Sequence, residues 1–212
     1  MATRPRTQIT SRKKPKQARA NDLVAAVLEA AVQVLAAEGA QRFTTTRVAE
    51  RAGVSVGSIY QYFPNKASIL FRLQSDEWRE TTAMLRDTLQ DASRPPLERL
   101  RRLVHAFVRS ECDEAEVRTA LADAAPLYRD APEAHEAKSA SAGTLEAFMR
   151  ELLPKASKAR RALASELIKT TLGAVGKEFS ETPRTPREIA AYADAMADMF
   201  SAYLVHLGAE AA

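Results

Sequence analysis

Apolar residues recur at intervals of three and four along most of the chain, which is the spacing of amphipathic helices. The first stripe predicts a helix that begins near Asn21 or Asp22 and ends at Gly39. Its inward-facing members are Val24, Val27, Leu28, Ala31 and Leu35. This stripe is expected to cover the short helices that follow it.

Residues 45–66 predict a helix-turn-helix, in which two short helices cross at a tight turn. A first helix over about 46–52 has Ala49 on its inward face, and this small side chain allows the second helix to cross closely. Gly53 follows where the chain must leave the first helix in a left-handed conformation. The sequence spacing of Ala49, Gly53 and Ile59 is that of the motif. An ordinary core hairpin is the alternative interpretation.

Ser55 is the expected N-cap of the second helix, which the pattern extends over Val56–Phe63. Ile59 and Phe63 are four residues apart and therefore face inward together. The outward face holds Ser58, Tyr60, Gln61 and Tyr62. No carboxylate occurs in residues 51–75, whereas a merely solvated helix usually carries Glu or Asp. This face is therefore the predicted DNA-reading surface.

The segment from about Val24 to Leu70 resembles the TetR (tetracycline repressor) family of bacterial transcription regulators. The matching features are AA near Ala30, EG at Glu38 and Gly39, FTT at Phe43 to Thr45, VAERAGVS, and GSIYQYFPNKASIL. They cover roughly the first third of the chain. The resemblance implies that the rest forms a helical ligand-binding and dimerisation domain.

Further stripes predict more helices beyond the motif. Asn65 is expected to cap a fourth helix from Lys66 to about Asp91, and a fifth follows the break at 93–96. Three more are predicted around residues 117–128, 133–153 and 158–179. The last helix begins with a capping box of Thr185 and Glu188, with Pro186 at its first position, and extends to about Gly208.

Composition agrees with this pattern, because the 212 residues are 46% apolar and include only 7 glycines. The predicted fold is all-α, with about nine helices and no convincing strand. A three-helix helix-turn-helix domain comes first, and a larger helical domain follows. The predicted divisions are a basic disordered arm at 1–20, a DNA-binding domain at 21–66, and an effector-binding and dimerisation domain at 67–212.

Charge is concentrated at the N-terminus. The first 20 residues hold seven of the 31 bases and no acid, so the remaining chain holds 24 bases and 27 acids. These seven are Arg4, Arg6, Arg12, Lys13, Lys14, Lys16 and Arg19. Such an arm buries too little surface to fold alone, but it can neutralise phosphates or enter a minor groove. A solubilising tail is the alternative.

Other chemistry is sparse. Cys112 is the only cysteine, which excludes an intrachain disulfide and fits a reducing cytoplasm. It is expected to be a core residue rather than a redox sensor. No uninterrupted apolar run approaches membrane-spanning length, so no membrane partner is expected. The sequence has no metal-ligand spacing, phosphate loop or nucleophile elbow, and neither an enzyme nor a cofactor is expected.

Individual roles follow for the DNA-binding residues. Arg47 can reach a phosphate or a guanine edge, although a plain surface charge is its alternative. Gln61 is the expected base reader, because a carboxamide pairs with adenine. The resemblance places Tyr60 and Lys66 at phosphate-clamping positions, although partly buried packing is an alternative for Tyr60. The predicted DNA-binding residues are Thr45, Thr46, Arg47, Ser55, Val56, Gly57, Ser58, Tyr60, Gln61, Tyr62 and Lys66.

The last two helices are the predicted dimer interface, since the resemblance implies a four-helix bundle between two subunits. Their apolar stripes could instead face the core. The predicted interface residues are Leu163, Leu167, Leu172, Val175, Tyr192, Met196, Met199, Phe200 and Tyr203. A dimer positions two reading helices about 34 to 36 Å apart, so a palindromic operator in double-stranded DNA is expected.

The regulatory half is expected to bind an unidentified small-molecule effector. The bulky or polar residues that could line its pocket are Trp78, Met84, His105, Phe107, Tyr128 and Phe148. Each of them could equally be plain core. The sequence therefore predicts a dimeric, ligand-responsive transcription regulator, more specifically a repressor. A ligand-independent architectural DNA-binding protein is the main alternative, and an all-helical enzyme is a remote one.

Overall fold

The computed structural model describes residues 8–11, 18–134 and 142–210. Within these ranges it contains nine α-helices of five residues or more, one short 3-10 helix and no strand, which confirms the all-α prediction. In chain order they are α1 (Ala18–Arg42), α2 (Thr45–Ala52), α3 (Val56–Tyr60), α4 (Lys66–Leu89), α5 (Pro96–Asp113), α6 (Ala115–Ala124), the 3-10 helix (Ala125–Leu127), α7 (Ala142–Leu152), α8 (Lys158–Ser180) and α9 (Pro186–His206).

α1 is interrupted where the sequence predicts its end. Gly39 has a φ of 72° and a ψ of 172°, a left-handed conformation that interrupts the helical hydrogen bonds. The helix begins at Ala18, a turn earlier than expected. By length and composition, residues 19–42 could also span a membrane. Val27, Ala31 and Leu35 are fully buried in a protein core, however, as expected of a helix that packs inside a folded unit.

The structure divides into two compact units. The first contains the described residues up to Trp78 together with residues 116–134. Its core combines α1, α2 and α3 with the first half of α4, and the largest fully buried side chains include Phe43, Ile59 and Phe63. The helix-turn-helix is therefore packed into the hydrophobic core of the first unit.

Residues 116–134 also belong to this first core. Arg118 forms a largely buried ion pair with Glu77 of α4 at 3.0 Å. The Tyr128 hydroxyl donates to the Leu121 carbonyl oxygen at 3.0 Å and lies 3.2 Å from Oε1 of Gln74. Burial raises the pKa of Tyr128, so its hydroxyl remains a donor at neutral pH. The boundaries of these compact units differ from the sequence-based division at residue 66. That division separates a DNA-binding from an effector-binding domain by function, and it stays a prediction.

The helix predicted over residues 117–128 is shorter than expected. α6 ends at Ala124, and the chain tightens into the 3-10 helix that contains Pro126. The reason is that Pro126 lacks the N–H that an α-helix would need at this position. The helix predicted over 133–153 is described only from Ala142, and residues 135–141 lie outside the described part of the chain.

The second unit contains residues 79–115 and 142–210 and is organised around α5, which packs against α7, α8 and α9. Arg99 is buried in this unit, where one guanidinium nitrogen donates to the Leu89 carbonyl oxygen at 2.5 Å. Another guanidinium nitrogen pairs with Glu151, and the guanidinium carbon lies 5.5 Å from the centre of the Phe148 ring. Arg99 thereby joins the end of α4 to α7.

α9 begins as the sequence predicts. Thr185 Oγ1 accepts a hydrogen bond from the Glu188 backbone N–H, and the Glu188 carboxylate accepts one from the Thr185 backbone N–H at 2.8 Å. Pro186 occupies the first helical position. The hydrogen bond from the Thr185 backbone holds the pKa of Glu188 below its usual value, so the capping box is intact at neutral pH.

Candidate nucleic-acid interface

α2 is held at both ends by local hydrogen bonds. The Thr44 hydroxyl accepts from the Arg47 backbone N–H at 3.2 Å and is the N-cap. At the other end, Gly53 has the predicted left-handed conformation, with a φ of 66°. The N–H groups of Gly53 and Val54 donate to carbonyls of the last turn, which closes a Schellman motif. The turn after α2 is therefore fixed in direction.

α3 is held by its own cap. The Ser55 hydroxyl accepts from the Ser58 backbone N–H at 3.0 Å, as predicted, and the two serine hydroxyls lie 2.8 Å apart. Ile59 and Phe63 are buried in the first core, which confirms their inward orientation. Val48 and Ala49 of α2 lie in the same core. The two helices thus share one packed face and leave the opposite face of α3 outside.

That outward face carries the predicted reading residues. Tyr60 is 42% exposed, and Gln61 is exposed beside it. Thr46, Ser55 and Gly57 are also exposed. The remaining predicted residues are half-buried, namely Val56, Ser58, Tyr62 and Lys66, and of these Val56 and Tyr62 also pack against the first core. These nine residues, together with Arg47, are called the α3 face below.

α3 is shorter than the predicted span of Val56–Phe63. It ends at Tyr60, and Gln61 and Tyr62 lie in a turn. The N–H groups of Tyr62 and Phe63 still donate to the Ile59 carbonyl at 3.0 and 2.9 Å. Pro64 accounts for the early end, because the residue before a proline is disfavoured in the α conformation. Gln61 is therefore presented from a turn.

Two predicted contacts differ in the structure. Thr45 is buried at the start of α2 and is not part of the outward face, so its assignment as a DNA-binding residue stays a prediction without support from its position. The reason is that Thr44, rather than Thr45, caps α2 and turns Thr45 inward. Arg47 forms an ion pair with Glu38 of α1, which agrees with the alternative of a surface charge.

The start of α4 lies directly after this surface. Asn65 Oδ1 accepts from the Ser68 backbone N–H at 3.0 Å, which confirms Asn65 as the N-cap. Lys66 is the first residue of α4 and is half-buried. An ammonium group in the first turn of a helix lies beside backbone N–H groups that already attract anions. A DNA phosphate could interact with the ammonium group and with these backbone N–H groups at the same time.

A short piece of the N-terminal arm packs on this unit, which the sequence does not predict. Ile9 is only 3% exposed and belongs to the first core, and the Gln8 carbonyl oxygen accepts from Asn65 Nδ2 at 2.9 Å. The prediction of a disordered arm over 1–20 does not hold for these residues, since Ile9 uses a surface that the helices have already built. Apart from Arg19, the arm's basic residues lie outside the described residues.

Two glycines of the motif provide a matched test of backbone conformation. Gly53→Ala is expected to destabilise the protein by roughly 1–2 kcal/mol, because a Cβ is disfavoured at its positive φ. Gly57→Ala should instead be neutral or stabilising by up to about 1 kcal/mol, since Gly57 is helical and a Cβ would meet only Ser55 Oγ at 3.7 Å. Thermal unfolding measures both, and equal shifts would contradict this account of the turn.

The six predicted pocket residues lie in different units. Trp78 and Tyr128 are in the first unit, and Tyr128 is buried there. The other four are in the second unit, namely Met84, His105, Phe107 and Phe148. Phe148 is buried, and a Cβ at Gly176 would lie 3.1 Å from the Phe107 ring, so both aromatic residues pack as core. The pocket assignment stays a prediction.

His105 belongs to a charged cluster between α5 and α9. Its Nε2 lies 3.0 Å from Oδ1 of Asp194, and Arg101 donates to the same oxygen at 2.8 Å and also pairs with Asp198.

Cys112 is half-buried, and burial raises the pKa of its thiol, which favours a structural role over a redox sensor.

The predicted dimer residues divide into three groups by their exposure. Leu163 and Leu167 of α8 and Met199 of α9 are exposed, at 65%, 48% and 51%. Val175, Tyr192 and Tyr203 are half-buried. Leu172, Met196 and Phe200 are buried in the core of the second unit. These last three are corrected to core residues, because the inward side of each stripe packs against the chain itself.

Two crossed helices, an outward face without carboxylates and an all-helical chain define a helix-turn-helix regulatory protein. Residues 27–73 match the family described as bacterial regulatory proteins, tetR family. Residues 95–207 match the tetracyclin repressor-like C-terminal domain, and this match alone spans more than half of the chain. The chain belongs to the TetR family. The family and the fold are those of transcriptional regulators, which are not enzymes.

Relatives of known name match part of the chain. The nucleoid occlusion factor SlmA of Vibrio campbellii is 37% identical over 84 residues, which are 39% of this chain and 42% of SlmA. The fatty acid metabolism regulator protein of Bacillus subtilis is 31% identical over 65 residues, which are 31% of this chain and 34% of that protein. The chain therefore spans about two fifths or less of the length of these relatives.

Solved structures match nearly the whole fold. The fatty acid degradation regulator FadR from Bacillus halodurans aligns with a TM-score of 0.66 at 21% identity, covering 88% of this chain and 96% of that one. The TetR-like regulator LfrR from Mycobacterium smegmatis, solved in complex with proflavine, aligns with a TM-score of 0.62 at 18% identity, covering 86% and 96%. At these identities the likeness concerns the fold.

Proposed function

We propose that this protein is a ligand-responsive transcriptional repressor that binds a palindromic operator as a homodimer in the bacterial cytoplasm. The observation that carries the proposal is the α3 face. Its residues are exposed or half-buried, whereas Ile59 and Phe63 on the opposite side are buried. A helix fixed in this way can enter the major groove as a rigid body.

The residues of the α3 face divide by chemistry. Val56 and Gly57 lie at the start of α3, where a methyl group can contact thymine and the absence of a side chain permits close approach. Gln61 offers a donor and an acceptor, which suit the N6 and N7 atoms of adenine. Tyr60 and Lys66 offer a hydroxyl and an ammonium to phosphates. Base contacts thus specify the site, and phosphate contacts position the protein.

Dimerisation through α8 and α9 is supported by their exposed apolar side chains. Leu163 and Leu167 are four residues apart on α8, and Met199 and Val205 are exposed on α9. Apolar residues at this spacing would pack against the same helices of a second copy as a four-helix bundle. Two copies would present two α3 faces to half-sites one helical turn apart.

Ligand response is proposed for the second unit. The LfrR structure contains proflavine, and two relatives are named as regulators of fatty acid metabolism or degradation. An effector of this chain would act by binding more tightly to a conformation that holds the two α3 faces at an unsuitable separation for the operator. The effector would then lower the affinity for DNA.

Tyr60→Ala and Gln61→Ala test the assigned roles. We expect Tyr60→Ala to weaken binding to a selected duplex and to random DNA alike, by about tenfold, because a phosphate contact carries no sequence information. Gln61→Ala should instead reduce discrimination against the wrong base by roughly 1–3 kcal/mol. Fluorescence anisotropy with both DNAs measures the two effects, and unchanged binding by both variants would refute the assignments.

A second function is favoured by the similarity to SlmA, a nucleoid occlusion factor, which is 37% identical over 84 residues. If this chain acted on the nucleoid as a whole, it would need to bind the chromosome at many positions rather than at one operator. A genome-wide footprint separates the two candidates. A repressor protects a few short palindromes near promoters, whereas a chromosome-binding factor protects many dispersed sites.

A further inference from the structure

Two guanidinium groups of α2 are held by side chains of α1, and the two acceptors differ in charge. Arg51 donates from Nε to Oε1 of Gln33 at 2.6 Å. Arg47 instead forms an ion pair with the carboxylate of Glu38. Gln33 is neutral, so its contact leaves the charge of Arg51 in place, whereas Glu38 compensates the charge of Arg47. Since a neutral amide is sufficient to join the two helices at Arg51, the carboxylate of Glu38 contributes more than packing.

The position of Glu38 follows from the break in α1. Gly39 comes directly after it with a φ of 72° and a ψ of 172°, so the regular helical backbone ends at Glu38. Arg47 is the third residue of α2, and its backbone N–H donates to the Thr44 cap. The ion pair therefore brings a carboxylate to the first turn of α2, which has no acidic residue of its own. Because the N-terminal turn of a helix attracts anions, Glu38 and a DNA phosphate favour the same end of α2.

The ion pair is accessible to solvent and can therefore be exchanged. The side chains of Arg47 and Glu38 are 39% and 30% exposed. Ion pairs at such exposure contribute little to stability, because water and salt screen them. A DNA phosphate accepts hydrogen bonds from a guanidinium group as a carboxylate does, so it competes with Glu38 for Arg47. Arg47 changes partner only where a phosphate stays within its reach.

We propose that Glu38 is a specificity-determining residue, which holds Arg47 away from DNA until the α3 face engages its own half-site. Binding to other sequences depends on phosphate contacts made in many registers, and Glu38 weakens it by withdrawing one cation per subunit. At the half-site the base contacts fix the register and hold one phosphate beside Arg47. This inference rests on the proposed function and adds a residue that suppresses binding to other sequences.

Glu38→Gln tests the proposal in the full-length protein with two labelled duplexes, one selected by the wild-type protein from a random library and one of random sequence. We expect affinity for the random duplex to rise about tenfold at 0.15 M salt, and affinity for the selected duplex to rise less than about threefold. For the random duplex alone, the slope of log affinity against log salt should increase in magnitude by about two, because each subunit gains a phosphate contact worth about 0.9. Glu29→Gln is the matched control, since it removes an exposed carboxylate from the same helix, and it should leave both affinities unchanged.

Two further variants separate this mechanism from simple repulsion of DNA by the carboxylate. Glu38→Gln/Arg47→Ala should bind the random duplex like the wild-type protein, because the gain depends on Arg47. Arg47→Ala alone should lower the salt slope for the selected duplex by about two and leave binding to the random duplex unchanged. Thermal unfolding of each variant identifies any loss of folding.

An unchanged ratio of the two affinities in Glu38→Gln would overturn the proposal, as would a gain on the random duplex that persists in Glu38→Gln/Arg47→Ala. Failure of the wild-type protein to prefer any selected duplex over the random one would instead refute the proposed function itself.

Discussion

Leu163→Glu combined with Leu167→Glu is expected to convert the protein into a monomer and to lower its affinity for a palindromic duplex at least about 100-fold. Both leucines are exposed on one face of α8, so the change should leave the chain's own core intact. In a symmetric dimer it would bury four carboxylates without partners, which costs several kcal/mol. The DNA affinity would fall because linked half-site contacts become independent.

Light scattering after size-exclusion chromatography measures the first effect, and titration of the selected duplex measures the second. Leu127→Glu is the matched control, since Leu127 is also an exposed leucine, at 41%, but lies in the 3-10 helix. The control should remain dimeric. A double variant that stays dimeric and binds DNA normally would exclude α8 from the interface and return its exposed stripe to an unassigned surface.

Phe63→Ala is expected to destabilise the first unit by roughly 3–5 kcal/mol. Phe63 is fully buried, and its backbone N–H donates to the Ile59 carbonyl in the turn that ends α3. Truncation leaves a cavity between α3 and the rest of the core, in a domain whose total stability is of the order of 5–15 kcal/mol. DNA binding should be lost with the fold of the motif.

Chemical denaturation monitored by circular dichroism measures this loss. Tyr60→Ala is the control, because it removes a ring of similar size three residues away that is 42% exposed. Its unfolding free energy should fall by much less than that of Phe63→Ala, because more of the removed ring is already in solvent, although DNA affinity falls. If Phe63→Ala were as stable as Tyr60→Ala, the assignment of an inward and an outward side to α3 would be wrong.

The local architecture of the motif is predictable because each residue acts on its immediate neighbours. Gly53 requires a positive φ, Ser55 caps the next turn, and Asn65 caps α4. The capping box of Thr185 and Glu188 is similarly local. Such interactions depend on three or four consecutive residues, so the sequence contains all the information needed to place them.

Interactions between distant segments are less predictable. Arg47 carries the positive charge that a phosphate contact needs. Its pairing with Glu38, however, depends on how α1 crosses α2. The sequence also leaves open which residue caps α2, since three consecutive threonines offer the same hydroxyl and only Thr44 is the N-cap in the structure. Which threonine becomes the N-cap depends on which of the three side chains is buried in the core of the first unit.

The stripes of α8 and α9 illustrate a related limit. Helical spacing identifies the apolar residues of both helices. When the apolar stripe is broader than one helix face, however, part of it packs against the chain's own core and part remains exposed. Leu172, Met196 and Phe200 pack inward, whereas Leu163 and Leu167 remain outside. Nor does periodicity reveal which core a helix joins, and so residues 116–134 were not expected in the first unit.

The buried position of Ile9 has a practical consequence for handling this protein. Removing the first eleven residues, by design or by proteolysis, would delete a side chain that is only 3% exposed and uncover apolar surface of the first core. Shortened preparations would then differ from the intact chain in melting temperature and in their tendency to self-associate.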